Sequence, residues 1–342
     1  MNTPGTDRAL VRPRVIAVVG PTATGKSDLS LDLAERLGGE IVNADASQFY
    51  RGMDIGTAKL PVGERRGIRH HQIDTLDILD EATIARFQRE ARADIQGVLA
   101  RGNVPIVVGG SGLYLRAALD VLEIPPTDPQ VRAHFEQRLE DEGSGALHRE
   151  LAEQDPAAAA DILASNGRRV VRALEVIALT GRPFSATAPT KTFLEPTIVL
   201  GLQADPTELV TRIERRVDLM WERGLLDEVR ELDARGLRNG RTASRAIGYS
   251  QALEHLDGLL DERAAKEATA IATRQFARRQ RAWFRPDPRP VWLPYDAPDL
   301  LARAMAEVDG YSPARHGVAV SHSQARVVDR SRASKSGKRC GE

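Results

Sequence analysis

The sequence predicts an α/β fold: a parallel sheet flanked by helices, with a helical insertion. Three observations lead there. Two short β-branched runs each end in a glycine turn that opens a helix, Val15–Val19 into Gly20, and residues 105–108 into Gly109-Gly110-Ser111-Gly112. Strand, turn and helix repeated in that order build a parallel sheet, because a helix must carry the chain back for the next strand. Residues 124–193 then change texture, reading as helical throughout and broken by Pro125, Pro126, Pro129 and Pro156.

The elements follow in order. Val15–Val19 is a buried parallel strand. A helix starts at Lys26, with Leu29, Leu33, Ala34 and Leu37 on one face, and stops at Gly38 and Gly39. Residues 40–44 are a second strand ending at Asp45, and 105–108 a third that leads to a helix from Leu113. After the helical insertion, 197–202 reads as a returning strand. Long helices are expected over 208–224, 225–235, 250–260 and 264–284, and a last strand over 291–293. The expected division is a first part of the core over 14–123, the insertion over 124–193, the second part of the core over 194–310, and a disordered basic tail over 311–342.

Of 342 residues, 42% are hydrophobic and 28% charged, ordinary for a globular protein. Formal net charge is zero, so a nucleic acid would have to be held by local patches rather than by a global field. The tail holds seven basic residues against Asp329 and Glu342. The single cysteine, Cys340, excludes an internal disulfide and a cysteine-built zinc site. No apolar run approaches a membrane span, and residues 1–13 lack a signal-peptide core. A cytoplasmic, monomeric protein is expected.

Gly20-Pro21-Thr22-Ala23-Thr24-Gly25-Lys26-Ser27 matches G-x-x-x-x-G-K-[ST] between a strand and a helix, the context that makes the fold P-loop NTPase-like. Its glycines let backbone N–H groups turn toward phosphate oxygens, Lys26 adds a point charge, and Ser27 is a Mg²⁺ ligand candidate. The motif predicts a bound di- or triphosphate without choosing between them. Asp45 suits either a Mg²⁺ ligand or a general base. The Ser111 hydroxyl suits either a phosphate oxygen or a helix cap. Arg274, Arg278, Arg281 and Arg285 form a stripe at helical spacing, with Trp283 and Phe284 available to stack on bases. The seven-residue spacing of Phe276 and Trp283 also fits a face turned to the core. His70 and His71, being adjacent, point apart and do not share a metal.

The stretch 43–59, NADASQFYRGMDIGTAK, closely resembles the signature of tRNA dimethylallyltransferases, also called tRNA isopentenyltransferases. Further blocks resemble the same family in the same order: GPTATGKS (20–27), HHQID (70–74), PIVVGGSGLYL (105–115), RRVVRALEV (168–176), GLLDEV (224–229), SRAIGY (244–249) and TRQFARRQRAWFR (273–285). The family usually has Thr where Ser111 stands and Ser where Ala46 stands.

The resemblance implies transfer of a dimethylallyl group from dimethylallyl diphosphate to the exocyclic nitrogen of adenosine 37 in the anticodon stem-loop of tRNAs that read codons beginning with U. It implies Mg²⁺ as cofactor, Gly20–Ser27 as the diphosphate cradle, Asp45 as general base, and Ser111 and Arg245 as further diphosphate contacts. It assigns tRNA contact to Asp45, Ala46, Ser47, Gln48, Ser111, Arg132, Arg168, Arg169, Arg172, Arg278, Arg279, Gln280 and Trp283. A small-molecule kinase would share the phosphate loop but leaves the 43–59 block unexplained. An enzyme that prenylates free adenine nucleotides would not need the C-terminal basic stripe. A GTP-hydrolysing switch would carry an N-K-x-D motif, and the sequence has none.

Overall fold

The computed structural model describes residues 12–187 and 191–313. Six parallel strands form its sheet: β1 (Val15–Val19), β2 (Gly39–Asn43), β3 (His70–His71), β4 (Val104–Gly109), β5 (Thr197–Gln203) and β6 (Pro290–Pro294), in the order β3-β2-β4-β1-β5-β6. The helices are α1 (Lys26–Leu37), α2 (Ile84–Ala100), α3 (Gly112–Leu119), α4 (Pro129–Glu142), α5 (Ser144–Gln154), α6 (Pro156–Asp161), α7 (Gly167–Thr180), α8 (Pro206–Glu222), α9 (Leu225–Ala234), α10 (Tyr249–Leu256), α11 (Glu262–Phe284) and α12 (Leu300–Asp309).

Successive side chains of a strand point to opposite faces, so a sheet covered on both faces needs apolar residues at every position. β1 meets that demand. Val15, Ala17 and Val19 join one core with Phe87, Ala91, Leu115, Ala252 and Ala265, under α2, α3, α10 and α11. Ile16 and Val18 join the opposite core with Leu29, Leu33, Ala304 and Val308, under α1 and α12. The sheet edges are blunted by the two-residue β3 on one side and by Pro290 and Pro294 on the other.

Between β4 and β5 the helices α4 to α7 gather around a separate apolar cluster of Phe135, Leu147, Leu151, Val170 and Leu174. Gly167 lets α7 approach closely, since a Cβ there would lie 2.8 Å from the Leu139 methyls.

The anticipated strands and α1 are present, with ends shifted by a residue or two. α10 ends at Leu256 rather than 260, where Asp257 and Gly258 (φ 74°) turn the chain. α2, β3 and α12 were not anticipated. Of the basic tail, residues 314–342 lie outside the described residues, and Cys340 with them.

Candidate active site: a phosphate cradle facing a carboxylate

Strand register puts the carboxyl ends of three neighbouring strands level. Val19 lies opposite Gly109, and Asn43 opposite Val108. Gly20, Asp45 and Gly109 therefore follow one another along the edge where ligands collect in such sheets.

The loop after β1 has the backbone its sequence demands. Gly20 has φ 142°, and a Cβ there would meet the Leu202 carbonyl oxygen at 2.6 Å. Ala23 (φ 65°) and Gly25 (φ 75°) are left-handed, the alternation that turns N–H groups inward to form an anion nest. Thr24 Oγ1 donates to the Pro21 carbonyl at 2.9 Å and pins the loop. α1 begins at once with Lys26, its N-terminal end favouring negative charge.

A cavity of about 420 Å³ opens over this loop, lined by Thr22 to Asp28, Asn43, Asp45, Gln48, Gly109, and Arg212, Arg215 and Arg216 of α8. That volume suits a small ligand. Lys26 donates to the Pro21 carbonyl at 2.6 Å, and burial lowers its pKa to about 8 against the pull of Asp45. Arg216 donates to Thr22 Oγ1 at 3.2 Å, and burial lowers its pKa too. Arg212 donates to the Ala23 carbonyl at 2.8 Å and stacks over Tyr295. Cations buried at some cost to their charged forms mark a site built for an anion.

Asp45 lines the same cavity. Its Oδ1 accepts from the Ser47 amide at 3.1 Å and the Ser47 hydroxyl at 2.7 Å, while its amide donates to Asn43 Oδ1 at 3.1 Å. The following loop is clamped by Glu228 of α9, whose carboxylate accepts from the amides of Asp54, Ile55 and Gly56 and from the Tyr249 hydroxyl. Lys59, buried, donates to Asp54 and Asp74 at 2.6 Å each.

The remaining anticipated residues are distributed unevenly. Ser111 is the N-cap residue of α3 but its side chain makes no cap bond, which removes the capping alternative. Ser111 and Arg245 stand outside the lining of the cavity, and Arg245 is exposed. Gln280, assigned to tRNA contact, is 5% exposed, and its Oε1 accepts from the Thr22 amide at 2.8 Å. Its position on α11 turns it inward onto the phosphate loop. Arg132 and Arg172 both donate to Glu175, which is fully buried. Burial alone would raise the Glu175 pKa, but bonds from Arg132, Thr127 and Arg172 hold it at about 2. Arg168, Arg169, Arg278 and Arg279 are exposed.

Trp283 is 42% exposed and faces Gly112 and Arg116, against the expectation that it joins the core. Ala277, Gln280 and Phe284 hold the inner face of α11 and turn Trp283 outward, while Phe276 is half-buried. The arginine stripe is also divided. Arg274 pairs with Glu214 at 2.8 Å, whereas Arg278, Arg281 and Arg285 line a second groove with Asp205, Trp292 and Tyr295. Sequence reading missed the α8 arginines. Their signal was present in RIERR (212–216), which sets three arginines on one helix face after the returning strand.

This sheet, with a glycine-turned anion nest after its central strand, defines an α/β protein of the P-loop type. Comparison narrows the class. Residues 48–287 match the family described as IPP transferase, and the chain belongs to that family. It is 57% identical over 291 residues to a tRNA dimethylallyltransferase of Kineococcus radiotolerans, covering 83% of this chain and 91% of that one. It is 58% identical over 303 residues to one of Thermobifida fusca, covering 87% and 95%. Among solved structures, a tRNA isopentenylpyrophosphate transferase of Bacillus halodurans is 38% identical with a TM-score of 0.64, covering 86% of this chain and 95% of that one. A eukaryotic dimethylallyltransferase described as acting on tRNA is 31% identical with a TM-score of 0.74, covering 86% and 77%. Among the described residues, no helix is long and apolar enough to cross a membrane.

Proposed function

We propose that this protein transfers the dimethylallyl group of dimethylallyl diphosphate to the exocyclic amino nitrogen of adenosine 37 in tRNAs reading codons that begin with U. One observation carries the reading: a single cavity is lined by the anion nest, its cations and the Asp45 carboxylate. The names of the relatives supply the substrates that fit that lining.

The diphosphate lies against the amides of Thr22 to Ser27, with Lys26 and the α8 arginines around it. An adenine amine is a weak nucleophile because its lone pair is delocalised into the ring. Asp45, with Oδ1 already held by Ser47, offers Oδ2 to the amine N–H. The nitrogen lone pair forms the new C–N bond to the first carbon of the dimethylallyl group. The C–O bond to the diphosphate breaks, its electron pair leaves with the phosphate oxygen, and the amine proton passes to Asp45. Lys26 and Arg216 oppose the charge that builds on the leaving group. Ser27 and Asp28 present hard oxygen donors to the same cavity and would hold Mg²⁺ beside the diphosphate, leaving Asp45 free as the base. When bound there, Mg²⁺ adds a further countercharge to the leaving diphosphate.

We assign the exposed Arg168 and Arg169 of α7 and Arg278 and Arg279 of α11 to the tRNA phosphate backbone, and Trp283 to an unstacked base. Gln48 lines the cavity beside Asp45 and suits contact with the flipped adenine. Ser111 and Arg245 are proposed as further diphosphate contacts. The helices over 124–193 form a tRNA-gripping insertion in this scheme, and the protein acts as a cytoplasmic monomer.

The test incubates the protein with labelled dimethylallyl diphosphate and unmodified tRNA, AMP or ATP. Label entering tRNA at adenosine 37 supports the reading. Label entering only AMP, or consumption of ATP alone, overturns it. Asp45→Asn is expected to cut turnover at least ~100-fold, the lower end of general-base contributions, with tRNA affinity little changed. Equal losses in both would remove Asp45 from the role of base.

A further inference from the structure

The HHQID segment takes no part in the chemistry above, yet it ends in contact with the residue that holds Asp45. His71 sits on the edge strand β3, its side chain 9% exposed between two carboxylates. Nε2 is 2.7 Å from Glu40 Oε2 and Nδ1 is 3.2 Å from Asp94 Oδ1. A neutral imidazole carries one N–H and can donate to only one of them. Two carboxylate partners require the imidazolium, in which both nitrogens donate. The charges around it balance. Arg101 makes a two-pronged bond to Glu40 at 3.0 and 2.7 Å, and Asn103 donates to the same carboxylate. Imidazolium and guanidinium together neutralise Glu40 and Asp94, with Arg69 the next cation near Asp94, and His70, itself near Arg65, close enough to His71 to feel its charge.

The chain after His71 is bent. Gln72 has φ 56°, uncommon for a residue with a side chain, and its amide side chain donates to Asp94 Oδ2 at 2.7 Å. Asp94 thus grips both His71 and Gln72. The bend presents the Gln72 carbonyl to Asn43, whose Nδ2 donates to it at 2.9 Å. Asn43 is 5% exposed and lines the cavity, and its Oδ1 accepts the Asp45 amide at 3.1 Å.

We infer that His71 is a positioning residue for Asp45, acting as a cationic clip that holds Gln72 in its bent form so that Asn43 fixes the Asp45 backbone. The inference rests on the proposed role of Asp45. The hydrogen bonds that His71 donates to Asp94 and Glu40 also raise its pKa above the ordinary value, favouring the imidazolium form.

The test measures prenyl transfer to tRNA by His71→Gln, Asn43→Ala and their double variant, with thermal stability alongside. His71→Gln is expected to lower kcat by ~10-fold with KM for both substrates unchanged, and the double variant to be no slower than Asn43→Ala alone, because both sit on one chain of bonds. Asp94→Asn keeps the side-chain shape and removes one anion. It is expected to lower kcat similarly and to move the His71 titration, read by ring ¹⁵N shifts, toward the ordinary histidine value. The wild-type decline in kcat above the His71 pKa should be missing from the pH profile of His71→Gln. Losses that multiply in the double variant, or a His71→Gln enzyme that is merely less heat-stable at full kcat, would overturn the clip. Full turnover by Asp45→Asn would instead sink the reading beneath it, so the two failures are distinguishable.

Discussion

Lys26 concentrates the electrostatic problem of the site. Its ammonium is buried beside Arg216, and burial brings its pKa down to about 8 from the usual 10.5. Between those values the unfolded chain binds more protons at this residue than the folded one. Folding stability from Lys26 alone therefore rises with pH across that window, and the cost of the buried charge is fully present below about pH 8. A bound diphosphate reverses the balance by favouring the ammonium. At pH 8 and above, donor binding is expected to take up a proton, seen as a dependence of the calorimetric binding enthalpy on buffer ionisation heat. The Lys26→Met variant should bind the donor more weakly and lose that dependence. Uptake unchanged in the variant would place the proton elsewhere. The phosphate loop was readable as a site because its glycines and lysine are a local pattern. That Lys26 and Arg216 meet was not, because they lie far apart in sequence and only the fold joins them. The arginines of α8 were also masked by composition: with only six lysines among 48 basic residues, a run of arginines carries little signal here.

Elements differ in legibility for a related reason. β1, β4 and β5 are central strands, apolar on both faces, and their sequences announce them. β3 is two residues long and has no pattern to read; it exists because Ile41 and Val42 offer it partners. In α11 the spacing of apolar residues suggested Phe276 and Trp283 on the inner face. The helix instead turns Ala277, Gln280 and Phe284 inward, and α3 and the phosphate loop pass close by. A Cβ at Gly110 would run into the Gln280 amide, and one at Gly112 into the Trp283 ring. The same closeness governs Gly20, whose φ of 142° and contact with the Leu202 carbonyl leave no room for a side chain. Gly20→Ala is expected to lower the unfolding temperature by roughly 2 °C for each ~1 kcal/mol lost in a protein this size, and to abolish measurable donor binding. Normal donor affinity in that variant would show that the loop does not need its present backbone to hold the anion.

At the scale of the whole molecule, zero net charge leaves tRNA attraction to patches. The exposed candidates lie on two elements: Arg168 and Arg169 at the start of α7, and Arg278 and Arg279 on α11. Arg132 and Arg172, also assigned to tRNA by the resemblance, are committed to Glu175 and keep α4 and α7 together. The two pairs on the helical insertion therefore separate by experiment. Arg168→Ala with Arg169→Ala should leave stability and donor affinity unchanged, weaken tRNA binding at low salt, and reduce the slope of log affinity against log salt by roughly one to two, about one per lost phosphate contact. Arg172→Ala should instead lower the unfolding temperature, because Glu175 would keep its charge with fewer donors in a fully buried position. If the double variant binds tRNA with an unchanged salt slope, the insertion does not grip the phosphate backbone through α7, and the exposed Arg278 and Arg279 of α11 become the surface on which the tRNA must rest.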